Sequence, residues 1–326
     1  MKRTRLGQHG PEVFPLALGC MGMSGVYGHS TDEEGIATIQ EAIERGINVI
    51  DTGDFYGMGH NELLVGRALA GRRGKALLSV KFGALRGPDG AFNGIDTRPA
   101  ALKNFASYSL KRLGVDVIDI YRPARLDPAV PIEETVGAIA ELIDKGYVRY
   151  IGLSEVGAET IRRAHATHPV ADLQIEYSLA SRSPEQKIFP ALEELGVSAT
   201  LYGVLSRGLL SGRKPTEKGD FRAFLPRFAG EAGRKNEETV ARLGALAKEG
   251  GRTPAQLCLG WVLAKQPRLV PLIGPRNREQ LADLLGALER PLSADEVSAA
   301  EGIVAPGAIA GDRYHEAQMA HLDSER

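Results

Sequence analysis

The sequence predicts an α/β protein in which short apolar strands alternate with amphipathic helices and the chemistry gathers at the carboxyl ends of the strands. Two runs carry that expectation. Ile47, Val49 and Ile50 form a β-branched apolar stretch that gives way to Asp51-Thr52-Gly53-Asp54-Phe55-Tyr56-Gly57, as a strand does on leaving a core. Ala76-Leu77-Leu78-Ser79-Val80 is a second run, and it finishes on Lys81. If helices join the two strands in parallel, Asp51, Tyr56 and Lys81 meet at one sheet edge, where α/β folds place their sites. A chain of 326 residues is long enough for one barrel or two average domains, and composition does not choose between them.

The three residues have complementary chemistry. A phenol is a poor acid at neutral pH, but a neighbouring ammonium favours the phenolate, and Lys81 is placed to supply that field. Asp51 would keep the lysine charged and aimed, so that Tyr56 gives its proton to a carbonyl oxygen as a hydride reaches the carbon. Taken singly, each residue also has a plain structural reading: Asp after a strand forms turns, and Tyr commonly lines a rim.

Composition narrows the field. Hydrophobic residues make up 43% and charged residues 25%, as in ordinary globular proteins, and a net charge of −1 gives no polyanion-binding signature, so nucleic acid is excluded as a partner. The basic start, Met1-Lys2-Arg3-Thr4-Arg5, runs into Gly7-Gln8-His9-Gly10 and not into an apolar segment, unlike a secretory signal. No stretch is long enough to span a bilayer. Cys20 and Cys258 lie too far apart for a metal motif, and two cysteines make no disulfide framework. The expectation is free thiols in a reducing cytoplasm. The seven histidines show no ligand spacing, and none is expected to hold a metal.

The segment 51–57 with Asn61-Glu62-Leu63-Leu64-Val65-Gly66 resembles the signature of the aldo-keto reductase superfamily. The resemblance runs nearly end to end through Leu18-Gly19-Cys20-Met21-Gly22-Met23, Lys81, Leu113-Gly114-Val115-Asp116, Pro131-Ile132-Glu133-Glu134-Thr135, Gly152-Leu153-Ser154 and Pro271-Leu272-Ile273-Gly274. Gly22-Met23-Ser24-Gly25 is similar to longer microbial and plant members, pyridoxal reductases among them. The resemblance implies a (β/α)8 TIM barrel, a single domain over residues 1–326, with an N-terminal hairpin plug and a C-terminal extension. It implies reversible NADPH-dependent reduction of a small aldehyde or ketone, and leaves the oligomeric state open. The alternative is an NADP(H)-binding sensor on the same barrel, like the potassium-channel β subunits that resemble this family.

In chain order, Thr4-Arg5-Leu6, a turn, and Glu12-Val13-Phe14 read as a hairpin, which in the family plugs the barrel bottom. Leu16-Ala17-Leu18-Gly19 is the first core strand, and Tyr27 in the loop beyond it is a candidate pocket wall, or else a surface aromatic. By the resemblance, Cys20 and Met21 belong to the cofactor side. Thr31 or Asp32 caps a helix through Ile36, Ile39, Ala42 and Ile43, with Gly46 as its left-handed stop. A helix over 62–70, a Gly-rich rim loop over 82–97 and a helix over 98–113 follow.

The fourth strand, residues 117–121, leads into a departure from the family. Members commonly have histidine where this chain has Ala124, and that histidine helps to orient the carbonyl oxygen. Losing one preorganised donor costs ~3 kcal/mol, about a hundredfold in rate, which weakens catalysis without removing the acid. Arg122 shares a face with Ala124 by strand alternation and could fill the gap, or could instead pair with a neighbouring carboxylate. The expectation is a substrate larger or differently polar than those of histidine-bearing relatives.

A helix over 132–145 carries its acids first, matching the helix dipole. Ser154 and Gln174, at the ends of the fifth and sixth strands, align with positions that hydrogen-bond the nicotinamide carboxamide. Tyr202, closing the seventh, falls where the family stacks an aromatic on the nicotinamide ring. Beyond it, Gly203, Leu205 and Ser206 let the backbone approach the pyrophosphate, and Arg207 and Arg213 add positive charge. Gly203-Val204 stand where Ser-Pro is usual. Residues 219–234, with Phe221, Phe224, Leu225, Pro226 and Phe228, read as an excursion docked over the mouth, the alternative being a polar linker.

Helices over 237–248 and 254–264 follow, the second with Trp261 in the core. Ile273 ends the eighth strand and is placed on the cofactor side, and Gly274-Pro275-Arg276-Asn277-Arg278 opens a helix whose amino terminus, with two arginines, can hold an anion; in the family this place receives the adenosine 2′-phosphate, favouring NADPH over NADH. Gln280 and Asp283 match adenine-side positions, while Leu284 replaces the usual asparagine. The tail over 306–326 reads as a wrap with a frayed end that could reach the pocket.

Overall fold

The structure, a computed structural model, describes residues 3–215 and 220–326; Met1 and Lys2 of the basic start, and Gly219 at the head of the expected excursion, lie outside the described residues. An antiparallel hairpin, β1 (Thr4–Arg5) with β2 (Glu12–Val13), comes first. The strands β3 (Ala17–Gly19), β4 (Val49–Gly53) and β5 (Leu77–Phe82) follow, then a second hairpin of β6 (Ala84–Arg86) and β7 (Phe92–Ile95). Next come β8 (Ile118–Pro123), β9 (Val148–Ser154), β10 (Val170–Glu176), β11 (Ser198–Tyr202) and β12 (Val270–Ile273). The eight strands outside the hairpins pair in parallel and close into a barrel, β12 lying against β3.

Helices return the chain between strands: α1 (Asp32–Glu44), α2 (His60–Leu69), α3 (Pro99–Leu113), α4 (Ile132–Asp144), α5 (Ala158–Thr167) and α6 (Pro184–Leu195). Then come α7 (Gly230–Glu249), α8 (Pro254–Lys265), α9 (Arg278–Glu289), α10 (Ala294–Ile303) and the short α11 (Glu316–Met319). Local sequence explains their ends. Thr31 accepts a hydrogen bond from the Glu34 backbone at 3.3 Å, with Asp32, Glu33 and Glu34 in the first turn, and Gly46 stops α1 at φ 99°. Such a cap is worth about 1 kcal/mol, so Thr31→Ala would fray the first turn of α1. None of the helices among the described residues is long and apolar enough to cross a membrane.

Inside the barrel, side chains from alternate strand positions stack in layers. The floor is apolar: Leu6 and Val13 of the first hairpin pack on Ala17, Val49, Ile120 and Val270, which closes that end. Above it lies a polar layer. Arg122 pairs with Asp172 at 2.7 Å, both fully buried, and donates to Ser79 Oγ at 3.0 Å, while Thr200 Oγ1 donates to Asp172 at 3.0 Å. A buried pair of this kind contributes little net stability after desolvation, but it fixes the rotamers beneath whatever sits on top.

Several sequence expectations need correction. Asp51 does not follow its strand: Val49 to Gly53 are all strand and all buried, because polar residues are tolerated where the barrel interior supplies partners. The rim loop after Lys81 is a β-hairpin. The helix expected at 237 begins at Gly230 and so absorbs part of the excursion, and the helix expected to open at Gly274 begins at Arg278, capped by Asn277. The α10 helix, opened by a Ser293/Glu296 capping box, was not anticipated. The chain end is not frayed, since the Ser324 backbone N–H donates to the Glu155 carbonyl at 3.2 Å and Leu322 is buried.

Candidate active site

Above the polar layer, at the carboxyl ends of the strands, lies a cavity of about 770 Å³. Asp51 comes from β4 and Lys81 from β5, and the register sets Asp51 beside Ser79 and Gly53 beside Lys81. Both side chains are buried, and the Lys81 ammonium is ion-paired to Asp51 Oδ1. The other carboxylate oxygen accepts from Ser79 Oγ at 2.8 Å and from Gln174 Nε2 at 2.9 Å. Asp51 is therefore held from two further strands, and it holds Lys81 in turn.

Tyr56 sits on a short turn, Tyr56–Gly59, between β4 and α2. Gly57 in that turn takes φ 56°, and a Cβ there would meet the Ser24 Cβ at 3.1 Å. Asn61 braces the turn from below, accepting from Thr52 Oγ1 at 2.6 Å and donating to the Cys20 carbonyl and Ser24 Oγ, each at 2.8 Å. The result places the Tyr56 ring 5.2 Å from Lys81 Nζ. The three strand-end residues thus share one wall, as expected.

Their electrostatics differ from the sequence expectation. Burial pushes the Tyr56 phenol well above its ordinary value, and the charge of Asp51 pushes it further; the cation acting on it most strongly is Arg125. Lys81 falls below the ordinary lysine value because of burial, with Asp51 opposing the fall. The physical reason is the ion pair: a lysine neutralised by a carboxylate at contact distance projects little net field onto a neighbour. Tyr56 is a neutral phenol that keeps its proton at physiological pH.

The chain matches the Aldo/keto reductase family over residues 15–305. It belongs to that family. It is 42% identical over 319 residues to a probable aldo-keto reductase of Glycine max, spanning 96% of this chain and 91% of that one. Among solved structures it superposes on a glycerol dehydrogenase of Gluconobacter oxydans with a TM-score of 0.83 at 29% identity, over 93% of this chain and 95% of that one. An aldo-keto reductase of Bacillus halodurans in its holo form gives 0.77 at 29% identity, over 97% and 99%. The family makes the chain an oxidoreductase of carbonyl compounds that uses a nicotinamide cofactor.

The residues present suit such a cofactor. Ser154, Gln174 and Tyr202 line the cavity beside the Asp51 group, Met21 lines it from the loop after β3, and Gly203, Leu205, Arg207 and Arg213 line it along the loop after β11. Ile273, Gly274, Arg276, Gln280 and Asp283 line it from the end of β12 through the start of α9. Gly203 has φ 68° and a Cβ there would press on Glu176 Cγ at 2.9 Å, so only glycine keeps the loop this close. Arg213 and Arg276 reach the wall without a carboxylate partner among the described residues, as a phosphate site requires.

Three expected residues are not in that wall. Cys20 is fully buried beneath it, its backbone tied to Asp51 and Asn61. Ser206 is turned inward, accepting from Arg227 Nη1 at 3.0 Å. Arg122 does not reach the pocket beside Ala124; it is consumed by Asp172 one layer down, because parity sets the face of a strand residue but not its depth. Ala124 itself, 2% exposed, does line the cavity. Arg207 lines it as well, but its charge already serves Glu176 at 3.3 Å.

Sequence reasoning missed a buried cluster on the far rim. Glu155, at φ 54°, accepts from Tyr202 Oη at 2.7 Å and is gripped by Arg313 of the tail, which also lies 3.4 Å from Glu176. Arg227 reaches Glu176 at 3.5 Å, and Tyr314 lies under the Arg207 guanidinium at 4.4 Å. Tyr314 lines the cavity, so the tail does enter the pocket, and a left-handed glutamate directly after Ser154 leaves no local signal of its own. The excursion is docked, with Phe221 and Arg222 in the wall and the Phe221 N–H on the Val26 carbonyl.

Proposed function

We propose that the chain is an NADPH-dependent carbonyl reductase in which Tyr56 is the proton donor, assisted by Lys81 and Asp51. The observation that carries this reading is a neutral, half-buried phenol beside an ion-paired lysine, both on the wall of a cavity floored by the barrel interior. When bound, the reduced dinucleotide supplies the hydride. Tyr56 releases its proton to the carbonyl oxygen; the phenolate left behind is stabilised chiefly by the Arg125 charge, the Asp51-paired Lys81 adding only a weak net field. Asp51, fastened by Ser79 and Gln174, keeps Lys81 charged and aimed.

Ser154 and Gln174 hold the carboxamide end, Tyr202 lies along the ring, and Arg213 and Arg276 hold the phosphates. A guanidinium at Arg276, fixed by its bond to the Tyr27 carbonyl at 2.6 Å, supports preference for the 2′-phosphate of NADPH over NADH. Tyr27 and Phe221 add aromatic surface to the cavity wall. Pyridoxal belongs among the candidate substrates because the early loop resembles pyridoxal reductases.

The test is NADPH and NADH oxidation with a panel of aldehydes, ketones and pyridoxal, run on the parent and on Tyr56→Phe. The variant is expected to bind dinucleotide and lose turnover by ~10²–10⁴-fold, the range for a removed general acid. Retained binding with silence from the parent across the panel would instead favour a dinucleotide-sensing barrel, for which Ala124 at the site speaks.

A further inference from the structure

The cavity wall is electrostatically lopsided. Its acidic residues are Asp51 and Asp283. Asp51 is taken by Lys81, and Asp283 accepts from Thr253 Oγ1 at 2.8 Å and Gln256 Nε2 at 3.1 Å. Against them stand the guanidiniums of Arg86, Arg125, Arg207, Arg213, Arg222 and Arg276. Arg207 is compensated by Glu176 and Arg222 by Asp220. Arg213 and Arg276 lie at the dinucleotide end. Arg86 and Arg125 remain, on the Tyr56 side, with no carboxylate partner among the described residues.

Arg125 is the more telling of the two. It follows Ala124 at the end of β8 and is half-buried. Its Nη1 donates to the Ala124 carbonyl at 2.6 Å, and its Nη2 makes a long contact of 3.4 Å to Tyr314 Oη. A guanidinium has five N–H donors, so most of this one's capacity is unspent. Burial disfavours its charge, but Tyr202, Tyr314 and Glu155 outweigh burial and keep it a cation. Glu155 does not supply the missing contact, since its oxygens already serve Arg313, Tyr202 and Ser324. Arg86 stands further out, 6.0 Å from the Phe55 ring, whose centroid is 4.8 Å from that of Tyr56.

We propose that the substrate end of this cavity selects carbonyl compounds carrying an anionic group, a carboxylate or a phosphate ester, which Arg125 binds beside the space left by Ala124 and Arg86 attracts from the rim. The proposal rests on the reductase reading above and names the substrate class for that site. A cation that is half out of water and lacks a counter-ion gains most from an incoming anion, and a guanidinium fork matches both oxyanions in geometry. The small side chain at 124 leaves room for the anionic substituent where a larger residue would stand. A neutral aldehyde would still react at Tyr56 but would leave Arg125 unpaired in the closed complex.

The test compares kcat/KM for 4-carboxybenzaldehyde and its methyl ester, and for glyceraldehyde 3-phosphate and glyceraldehyde, with NADPH, in the parent, Arg125→Leu and Arg125→Lys. The ratio of anionic to neutral substrate is the readout, because Arg125 also acts on Tyr56 and its loss slows both members of a pair. A charge-assisted contact of this kind predicts a parent ratio of ~10 or more in at least one pair, carried by KM. That ratio is expected to fall about tenfold in Arg125→Leu and to be partly kept in Arg125→Lys. The pair with the larger ratio identifies the anion.

A parent ratio near one in both pairs, or a ratio unmoved in Arg125→Leu, overturns the proposal and leaves the reductase reading standing. Silence with all four aldehydes overturns the proposal, and silence across the ketones and pyridoxal as well overturns the reductase reading with it. Should Arg125→Leu fail to fold, quenching of bound NADPH fluorescence by 4-(hydroxymethyl)benzoate against its methyl ester, in the parent and Arg125→Lys, decides the same question: equal affinities overturn the proposal.

Discussion

Replacing Arg313 with leucine should remove the cation that fastens the tail to the barrel. Its guanidinium donates to Glu155 Oε1 at 3.1 Å and Oε2 at 3.0 Å, donates to Glu325 at 2.7 Å, and lies 3.4 Å from Glu176. Glu155 is fully buried; burial alone would raise its carboxyl, but Arg313 first, with Arg125 and the Ser324 hydroxyl, together outweigh burial and the carboxyl sits at about 2, below the ordinary 4.5. At ~1.4 kcal/mol per pH unit, that depression corresponds to about 3 kcal/mol. Removing one partner of a buried ion pair costs about 3–5 kcal/mol by an independent line of argument. The expected loss is therefore about 3 kcal/mol at neutral pH, the lower end because Arg125 still acts on Glu155.

Urea denaturation followed by the fluorescence of Trp261, the single tryptophan, measures it. The pH dependence supplies a second check. A carboxyl depressed in the folded state stabilises fully above its unfolded value near 4.5 and loses that contribution as pH falls toward 2. The gap between parent and variant should accordingly be largest near pH 7 and narrow below about pH 4.5. Because Tyr314 follows Arg313 into the cavity wall, KM for the carbonyl should rise as well. A variant within about 0.5 kcal/mol of the parent at pH 7, or a gap that does not shrink in acid, would refute the reasoning.

Two further outcomes follow from the same physics. Burial first, and then the charge of Glu62, raise the Asp54 carboxyl to about 7. The folded state holds this proton where the unfolded chain releases it near pH 4, so stability falls as pH rises between those values, by at most about 4 kcal/mol. Asp54→Asn should therefore stabilise the protein at pH 8 much more than at pH 4; an equal effect at both, read by thermal unfolding, would contradict it. Ala124→His introduces a donor on the wall that Tyr56 shares and fills part of the cavity: kcat for a small neutral aldehyde should rise by up to about a hundredfold while bulky carbonyls lose kcat/KM. Unchanged kcat and unchanged substrate range would remove Ala124 from the account of specificity.

Much of this protein was legible along the chain. The apolar runs that carry Asp51 and Lys81, the first hairpin and the glycine stops and polar caps of the helices follow from periodicity and end chemistry, while Ser154, Gln174 and Tyr202 and the hairpin's place under the barrel were picked out by the resemblance to the family. The former are short-range properties: a strand's parity and a helix's cap are set within a few residues. The sequence therefore determined which stretches become strands and helices, though β4 runs on past Asp51 to Gly53.

The tertiary structure alone decided which of their residues face the cavity and what they are bonded to. Parity put Arg122 on the pocket side, yet closure of the barrel delivered it to Asp172, a strand away from any local cue. The Arg313 contact to Glu155 spans 158 residues of chain, and no pattern near either end announces it. The net charge left on Arg125 is likewise a sum over its neighbours, because an ion pair is assigned by distance in space and each carboxylate satisfies the cations the fold brings nearest.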